Sequence, residues 1–288
     1  MDIKKVYNSK SVEEVIDILG EYGEKAKVIA GGTDIVIALN NNAIEPELLI
    51  DISKLEELKG IKVDKEFITI GSATTFTEIV ESEIIDNNLY GLHKACKMVG
   101  SPQIRNKGTI GGNIANGSPA ADSVPPLIAL GGIVTLKSIE GTREVLLEDY
   151  YYNPIKEKEL LLNIKFERPK DNQVLTFAKL GLRKALAISR LTLSSFIEFD
   201  DNNTISFIRV ASGALAKFPM REKELEDYLL GKILEKEIIE GAIEALRNSM
   251  DERLKGRSTL PYKRIAISTI LREILEEALA FEEGVKAW

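Results

Sequence analysis

Cysteine and histidine are nearly absent from this sequence. Its 288 residues include one cysteine, Cys96, and one histidine, His93. One cysteine cannot form an internal disulfide, and it cannot supply the four thiolates that normally hold an iron–sulfur cluster. A single histidine outside any HExxH or Cys/His cluster argues against a zinc site. It also argues against a Ser-His-Asp triad.

Basic stripes and long apolar runs are missing as well. The chain has 38 Lys and Arg against 45 Asp and Glu, a net charge of −7 and a pI near 5.2, so nucleic acid is not expected as a partner. Apolar runs such as 125–134 are far shorter than a membrane span. The start, MDIKKVYNSK, lacks the apolar core of a signal peptide. With 44% hydrophobic and 29% charged residues, the composition predicts a globular protein with a core. Without a signal peptide or a membrane span, we expect it in the cytoplasm.

The first part of the chain mixes helix and strand signals. Ser11 with Glu14, and Thr75 with Glu78, have the spacing of capping boxes and predict a helix after each pair. Gly20 and Gly23 are expected to end the first of these helices. Alternating and buried patterns predict further elements: strands over 27–30, 47–52 and 159–166, a hairpin of 61–63 with 67–70, a helix over 88–99 and a buried segment over 127–136.

The composition changes near 169–172, which predicts a domain boundary there. We therefore expect one domain over 1–172 and another over 173–288. In the second, patterns predict three long strands followed by three helices, an α+β arrangement: strands 174–180, 188–199 and 204–212, and helices 221–230, 235–248 and 261–281.

A first segment with binding chemistry is VIAGGTD, Val28 to Asp34. A predicted strand runs into two glycines, followed by a hydroxyl and a carboxylate. Paired glycines allow a tight turn and leave consecutive N–H groups open to a ligand, and such amide arrays bind phosphate oxygens. A plain Gly-Gly turn remains the alternative.

A second segment, 101–122, combines low helix and strand propensity with few charges. Long loops of this kind are often functional, and we expect this one to lie against a polar ligand. Gly111, Gly112 and Asn113 again predict open amides, Asn116 and Ser118 could bond phosphates or hydroxyls, and Asp122 could accept from a ribose. A disordered surface loop is the alternative. Since the chain has no GxGxxG after a strand and no GxxxxGK[ST], neither a Rossmann site nor a P-loop is predicted.

Together these segments resemble the FAD-binding subunits of molybdenum hydroxylases, the family of xanthine, carbon monoxide and nicotinate dehydrogenases. The resemblance covers essentially the whole chain. It rests on four stretches: AGGTD at 30–34, SPQIRNKGTIGGNIANGSPAADSVPPL at 101–127, FAKLGLRKALAIS at 177–189 and RSTLPYKRIAISTIL at 257–271. The branch with an additional cysteine-rich cluster loop is excluded, because Cys96 is the only cysteine.

The resemblance implies a vanillyl-alcohol-oxidase (PCMH)-type FAD-binding domain of two subdomains, followed by a C-terminal α+β domain with an antiparallel sheet and helices. It also implies a set of FAD contacts. The diphosphate would be enclosed by Val28, Ile29, Ala30, Gly31, Gly32, Thr33 and Asp34 together with Thr109, Gly111, Gly112 and Asn113. Asn116, where the family usually has Ser or Thr, and Asp122 would hold the ribityl or ribose region. Val99, Gly100, Leu161 and Arg190 would lie near the isoalloxazine ring.

The resemblance further implies a role in a heterotrimer. A partner subunit with the molybdenum cofactor would hydroxylate the substrate, an N-heterocycle such as xanthine, and [2Fe–2S] clusters on another partner would carry the electrons. FAD in this chain would pass them to NAD or another acceptor. The alternatives are a stand-alone flavin oxidase or diaphorase, a carbon monoxide dehydrogenase flavoprotein subunit, a non-enzymatic nucleotide-binding module and an interaction protein. A covalent flavin link through Cys96 or His93 is a further alternative.

Overall fold

The computed structural model describes residues 5–85, 87–152, 158–181 and 188–282. Helices and strands follow one another throughout these ranges. The helices are α1 Val12–Tyr22, α2 Ile35–Asn40, α3 Phe76–Val80, α4 Tyr90–Lys97, α5 Pro102–Arg105, α6 Ile110–Asn116, α7 Val124–Ala129, α8 Leu147–Tyr150, α9 Lys223–Leu229, α10 Lys236–Arg253 and α11 Leu260–Glu282. The strands are β1 Lys5–Asn8, β2 Ala26–Ile29, β3 Leu48–Asp51, β4 Ile61–Val63, β5 Phe67–Gly71, β6 Ile133–Ser138, β7 Gly141–Leu146, β8 Leu160–Glu167, β9 Gln173–Gly181, β10 Ser189–Phe199, β11 Ile205–Gly213 and β12 Met220–Arg221.

The chain divides into two compact units made of interleaved segments. Unit 1 consists of Met1–Ile84, Ser101–Gly117 and Gly132–Glu167, and unit 2 consists of Ile85–Gly100, Ser118–Gly131 and Arg168–Trp288. The domain boundary near Asn172 stays a prediction. Two segments that precede it, Ile85–Gly100 and Ser118–Gly131, belong to unit 2.

Unit 1 contains two sheets. A parallel sheet has the order β1-β3-β2, and an antiparallel sheet has the order β4-β5-β8-β6-β7. The apolar face of α1, including Val15, Ile16 and Leu19, packs with Ile50 of β3 in one core cluster. Burial of such side chains is worth roughly 1.5–3 kcal/mol each, which fixes the helix on the sheet.

The start of α1 confirms the predicted cap only in part. The Ser11 side chain accepts from the Glu14 N–H, as predicted. The Glu14 carboxylate, however, accepts from the Lys10 N–H and the Tyr7 hydroxyl, so the reciprocal half of the box is absent. The Thr75–Glu78 box is complete. Gly23, with φ of 53°, ends α1 as predicted, whereas Gly20 lies inside the helix.

Unit 2 is built on the antiparallel sheet β12-β11-β10-β9. Its core cluster joins side chains of the sheet, such as Leu193 and Val210, to side chains of α10 and α11, such as Ile243 and Ile274. The three long strands and the following helices are confirmed to within a few residues. In the described residues, no helix is long and apolar enough to cross a membrane.

The segment 101–122 is not the long irregular loop that its composition predicted. It contains α5 and α6, and α7 follows it. Ser101 and Thr109 cap the first two helices, each accepting from the N–H three residues later, and Pro occupies the start of α5 and α7. Two glycines inside α6 cost about 1 kcal/mol each in helix propensity, and tertiary contacts outweigh that cost.

Candidate cofactor-binding site

The first glycine segment forms an open turn between β2 and α2. Gly32 has φ of 75°, a left-handed conformation that favours glycine. Among the described residues, none accepts a hydrogen bond from the N–H groups of Gly31, Gly32, Thr33 or Asp34. These residues are half-buried to exposed. Four successive free donors form an amide array of the kind that binds anionic oxygens.

The second glycine segment uses its amides differently from the prediction. The N–H of Gly111 donates to the Ser72 carbonyl at 2.9 Å, and that of Asn113 to the Thr109 carbonyl at 3.0 Å. The Gly112 N–H donates to the Thr109 hydroxyl at 3.1 Å. Since protein atoms already occupy these donors, the free amide array belongs to the first segment alone.

The two glycine segments meet, although they are about 80 residues apart. A Cβ on Gly31 would lie 1.7 Å from the carbonyl oxygen of Lys107, so the two backbones are in direct contact. The amide of Asn116 donates to the carboxylate of Asp34 at 3.2 Å. The two segments therefore lie in contact within unit 1.

The glycines of α6 have distinct environments. A Cβ on Gly111 would lie 2.5 Å from the Cβ of Ser72 and 2.6 Å from its carbonyl oxygen, so this glycine allows close packing against the end of β5. A Cβ on Gly112 would meet only the Thr109 hydroxyl, at 3.0 Å, and Gly112 is exposed. Gly112 thus leaves the surface of α6 open at this point.

Two buried hydroxyl groups lie next to α6 or at the end of β5. The Ser72 hydroxyl is buried without a hydrogen-bond partner in the described structure. The Tyr151 hydroxyl donates to the Ile114 carbonyl in α6 at 3.3 Å, and burial raises the Tyr151 pKa. Leu161 is buried in β8, the strand whose Leu162 carbonyl accepts from the Ser72 N–H.

The donor set fits the diphosphate of FAD. Its oxygens are anionic acceptors, and residues 31–34 present four N–H groups without a protein acceptor. Gly112, in the segment that contacts this turn, is exposed and has only the Thr109 hydroxyl near its Cβ position. The N–H groups present the positive ends of their dipoles, which repel a cation. No group of metal-binding side chains occurs among the described residues.

The remaining predicted contacts, Val99, Gly100, Asp122 and Arg190, belong to unit 2. Gly100 has φ of 45°, and Arg190 is exposed. Asp122 is buried, and its carboxylate accepts from Lys179 Nζ at 2.5 Å and from the Ser189 hydroxyl. Burial raises the Asp122 pKa, while Lys179 and Ser189 oppose that shift.

Sequence reasoning missed Lys179. Its ammonium is buried with Asp122 and also donates to the Met98 carbonyl at 3.1 Å. The sequence could have indicated this pair, because Lys179 lies in an apolar strand, next to Ala178 and Leu180. A charged side chain in such a strand is seldom buried unless it is paired.

The environments of Cys96 and His93 indicate structural rather than catalytic roles. Cys96 is fully buried, and burial, with the nearby charge of Asp122, raises its pKa. Its thiol therefore stays protonated at neutral pH. His93 stacks on Tyr90, with ring centroids 5.8 Å apart, and burial lowers its pKa, with a smaller contribution from Lys97.

Two family models match the chain in succession. Residues 2–168 match the FAD binding domain in molybdopterin dehydrogenase, and residues 176–278 match the CO dehydrogenase flavoprotein C-terminal domain. The chain belongs to the FAD-binding subunits of the molybdopterin dehydrogenases. As a member of this family it is an oxidoreductase flavoprotein subunit with an FAD-binding domain, as its motifs predicted.

Individual relatives agree over nearly the whole length. The chain is 33% identical to the nicotinate dehydrogenase FAD-subunit of Eubacterium barkeri, with 96% of both chains covered. It is 29% identical to the xanthine dehydrogenase FAD-binding subunit of Escherichia coli O157:H7, with 98% of both covered.

Solved structures agree with the fold. Carbon monoxide dehydrogenase from Hydrogenophaga pseudoflava matches with a TM-score of 0.89 and 29% identity, covering 96% of this chain and 97% of that one. Quinoline 2-oxidoreductase from Pseudomonas putida 86 matches with a TM-score of 0.87 at 21% identity, which supports the fold alone. The α+β fold of this family, with its FAD-binding and C-terminal domains, is therefore established for this member.

Proposed function

We propose that this chain is the FAD-holding electron-transfer subunit of a molybdenum hydroxylase complex. The observation that carries the proposal is the row of four free amides at Gly31–Asp34, in contact with the loop that leads to α6. A chain with one cysteine has no ligand set for its own cluster, so its redox chemistry belongs to a bound cofactor.

The proposed FAD contacts follow the family resemblance, and the free N–H groups of residues 31–34 support the part proposed for the first segment. Residues 28–34 supply amides to the diphosphate, and residues 109–113 supply the open surface at Gly112. Asn116, already bonded to Asp34, and Asp122 hold the ribityl or ribose region. Val99, Gly100, Leu161 and Arg190 border the isoalloxazine ring. When bound, FAD can accept electrons singly and deliver them in pairs.

The proposed complex is a heterotrimer in the cytoplasm. A molybdenum-cofactor subunit oxidises the substrate, and an iron–sulfur subunit with [2Fe–2S] clusters delivers electrons to this chain. NAD or another acceptor takes them away. The relatives' names support this division of labour, since they include FAD subunits and medium chains of several dehydrogenases.

The substrate is proposed as an N-heterocycle. The relatives from Eubacterium barkeri and Escherichia coli O157:H7, named for nicotinate and xanthine, support this class. Carbon monoxide is the second candidate, because the medium chain of carbon monoxide dehydrogenase from Hydrogenophaga pseudoflava is 30% identical over 275 residues. Purification of the complex and assay with xanthine, nicotinate and carbon monoxide separates these candidates.

The experiment that tests the cofactor assignment is release of the flavin. The purified chain, reconstituted with excess FAD, is denatured, and the released flavin is identified by chromatography. We expect FAD without FMN. Recovery of FMN alone, or of no flavin, would contradict the assignment, and a colourless protein would favour an interaction role.

A further inference from the structure

The sequence contains a single Asn-Gly pair, Asn116–Gly117, which lies at the end of α6. In such a pair the backbone nitrogen of the glycine can attack the side-chain carbonyl carbon of the asparagine, because glycine has no side chain to obstruct the ring that forms. Asn116 is exposed, and Gly117 ends the helix in a left-handed conformation, with φ of 63°. The pair therefore combines reactive residue types with access to water.

The last turn of α6 can open at low cost. In the folded chain the Gly117 N–H donates to the Ile114 carbonyl at 3.1 Å, and this bond must break before the nitrogen can attack. The Ile114 carbonyl also accepts from the Tyr151 hydroxyl at 3.3 Å, so it keeps a partner when the Gly117 N–H leaves. Since helix ends open locally with little free energy, the reaction needs fraying of one turn and not unfolding of the chain.

The side-chain amide of Asn116 contacts the turn that carries the free N–H groups. Its Nδ2 donates to Asp34 Oδ1 at 3.2 Å, and both residues are exposed. Conversion of this amide to a carboxylate would replace a donor with a second acceptor, and the attractive contact would become a repulsion between like charges. The added negative charge would also oppose an anionic ligand at residues 31–34.

We propose that Asn116–Gly117 is a deamidation site whose reaction weakens the proposed FAD site. The Gly117 nitrogen gives its proton to solvent and forms a bond with Asn116 Cγ, the Cγ–Nδ2 bond breaks, and the amine takes up a proton and leaves as ammonia. Water then opens the succinimide ring to aspartate or isoaspartate, so the net reaction is hydrolysis without any oxidation. The effect on FAD rests on the proposed function, whereas the reaction of the pair does not.

The test ages the purified, FAD-free full chain in mildly alkaline buffer, which favours the deprotonated nitrogen, and follows residue 116 by peptide mass spectrometry. We expect Asn116 to be converted well before Asn248, an exposed asparagine followed by Ser249 inside the 18-residue helix α10. Gly117→Ala is the matched control, because its methyl group obstructs ring closure. The left-handed conformation costs this variant about 1–2 kcal/mol, so circular dichroism checks its fold.

Titration with FAD, followed by flavin fluorescence, measures the consequence. The aged chain and the fresh variant Asn116→Asp should each bind FAD about tenfold or more weakly than the fresh wild-type chain, as expected for an added like charge at this distance. Gly117→Ala should not lose affinity on ageing.

Three results would overturn the proposal: an intact Asn116 after Asn248 has been converted, equal conversion of Asn116 in the wild-type chain and in Gly117→Ala, or wild-type FAD affinity in Asn116→Asp. A fresh wild-type chain that binds no FAD would overturn the cofactor assignment and with it the effect on FAD. The peptide mass would still test the reaction at Asn116, so the two failures are distinguishable.

Discussion

The carbonyl oxygen of Lys107 lies where a side chain on Gly31 would begin, 1.7 Å from an ideal Cβ position. Only glycine allows this contact between backbones. It joins the turn that carries the free amides to the segment that leads to α6.

The first prediction concerns this contact. Gly31→Ala should separate the two segments, because Lys107 presents backbone atoms that cannot rotate away. We expect a loss of stability of about 1–3 kcal/mol, as for overpacked sites, together with loss of FAD binding. Thermal unfolding and titration by flavin fluorescence measure both. A variant with wild-type melting temperature and FAD affinity would show that the contact is dispensable.

The second prediction separates two neighbouring glycines. Gly112→Val should keep the fold, since only the Thr109 hydroxyl lies near its Cβ position. In the proposed site the valine side chain should obstruct the diphosphate, weaken its bonds to the N–H groups of residues 31–34 and so weaken FAD at least about tenfold. Gly111→Ala is the matched comparison, and it should destabilise the chain against Ser72. Circular dichroism reports the fold in each case. Unchanged FAD affinity in Gly112→Val would remove residues 109–113 from the diphosphate site.

Gly111 and Gly112 show why the sequence alone could not predict which N–H groups of the candidate site are free. The motif identified Gly111 and Gly112 together as sources of open amides. Their roles depend on Ser72 and Thr109, which occupy the N–H groups. Ser72 is almost 40 residues away, and no local pattern indicates that contact. The N–H groups of residues 31–34 have no acceptor in the described structure, as expected where a strand runs into paired glycines, and their role in FAD binding stays a prediction.

In the fold too, elements with a local sequence pattern were predicted, and elements that depend on distant contacts were missed. The long strands of unit 2 and the hairpin of β4 and β5 were predicted because alternation is a local signal. The edge strand β1 was missed, because its exposed residues show no buried alternation and its pairing with β3 is parallel and distant in sequence. The short helices α5 and α6 were missed because their glycines and polar residues have low helix propensity, while their caps and tertiary contacts determine the structure.

The third prediction concerns Asp122. Asp122→Ala should leave the buried ammonium of Lys179 unpaired, and breaking a buried pair costs roughly 3–5 kcal/mol. Chemical denaturation measures the loss, and the double variant with Lys179→Met should recover part of it. If Asp122 also meets the adenosine half of FAD, FAD affinity should fall more than FMN affinity. Equal losses for both ligands would assign Asp122 to packing alone.

The fourth prediction concerns Cys96. Burial raises the pKa of its thiol, so the reactive thiolate is scarce at neutral pH, and solvent cannot reach the sulfur. We expect iodoacetamide to modify Cys96 in the unfolded chain but not in the native one, with mass spectrometry as the measure. The flavin should leave the denatured protein without a covalent bond. Flavin that stays attached to a peptide with Cys96 or His93 would refute this expectation.

The fifth prediction tests the role of the chain as an electron relay, which is the central claim. The FAD-loaded chain is mixed without oxygen with the organic substrate of its complex, and the flavin absorbance is recorded. We predict no bleaching by substrate alone, appreciable bleaching by NADH, and bleaching by substrate once the iron–sulfur and molybdenum subunits are present. Bleaching by substrate in the isolated chain would contradict the account, because the flavin would then oxidise substrate directly.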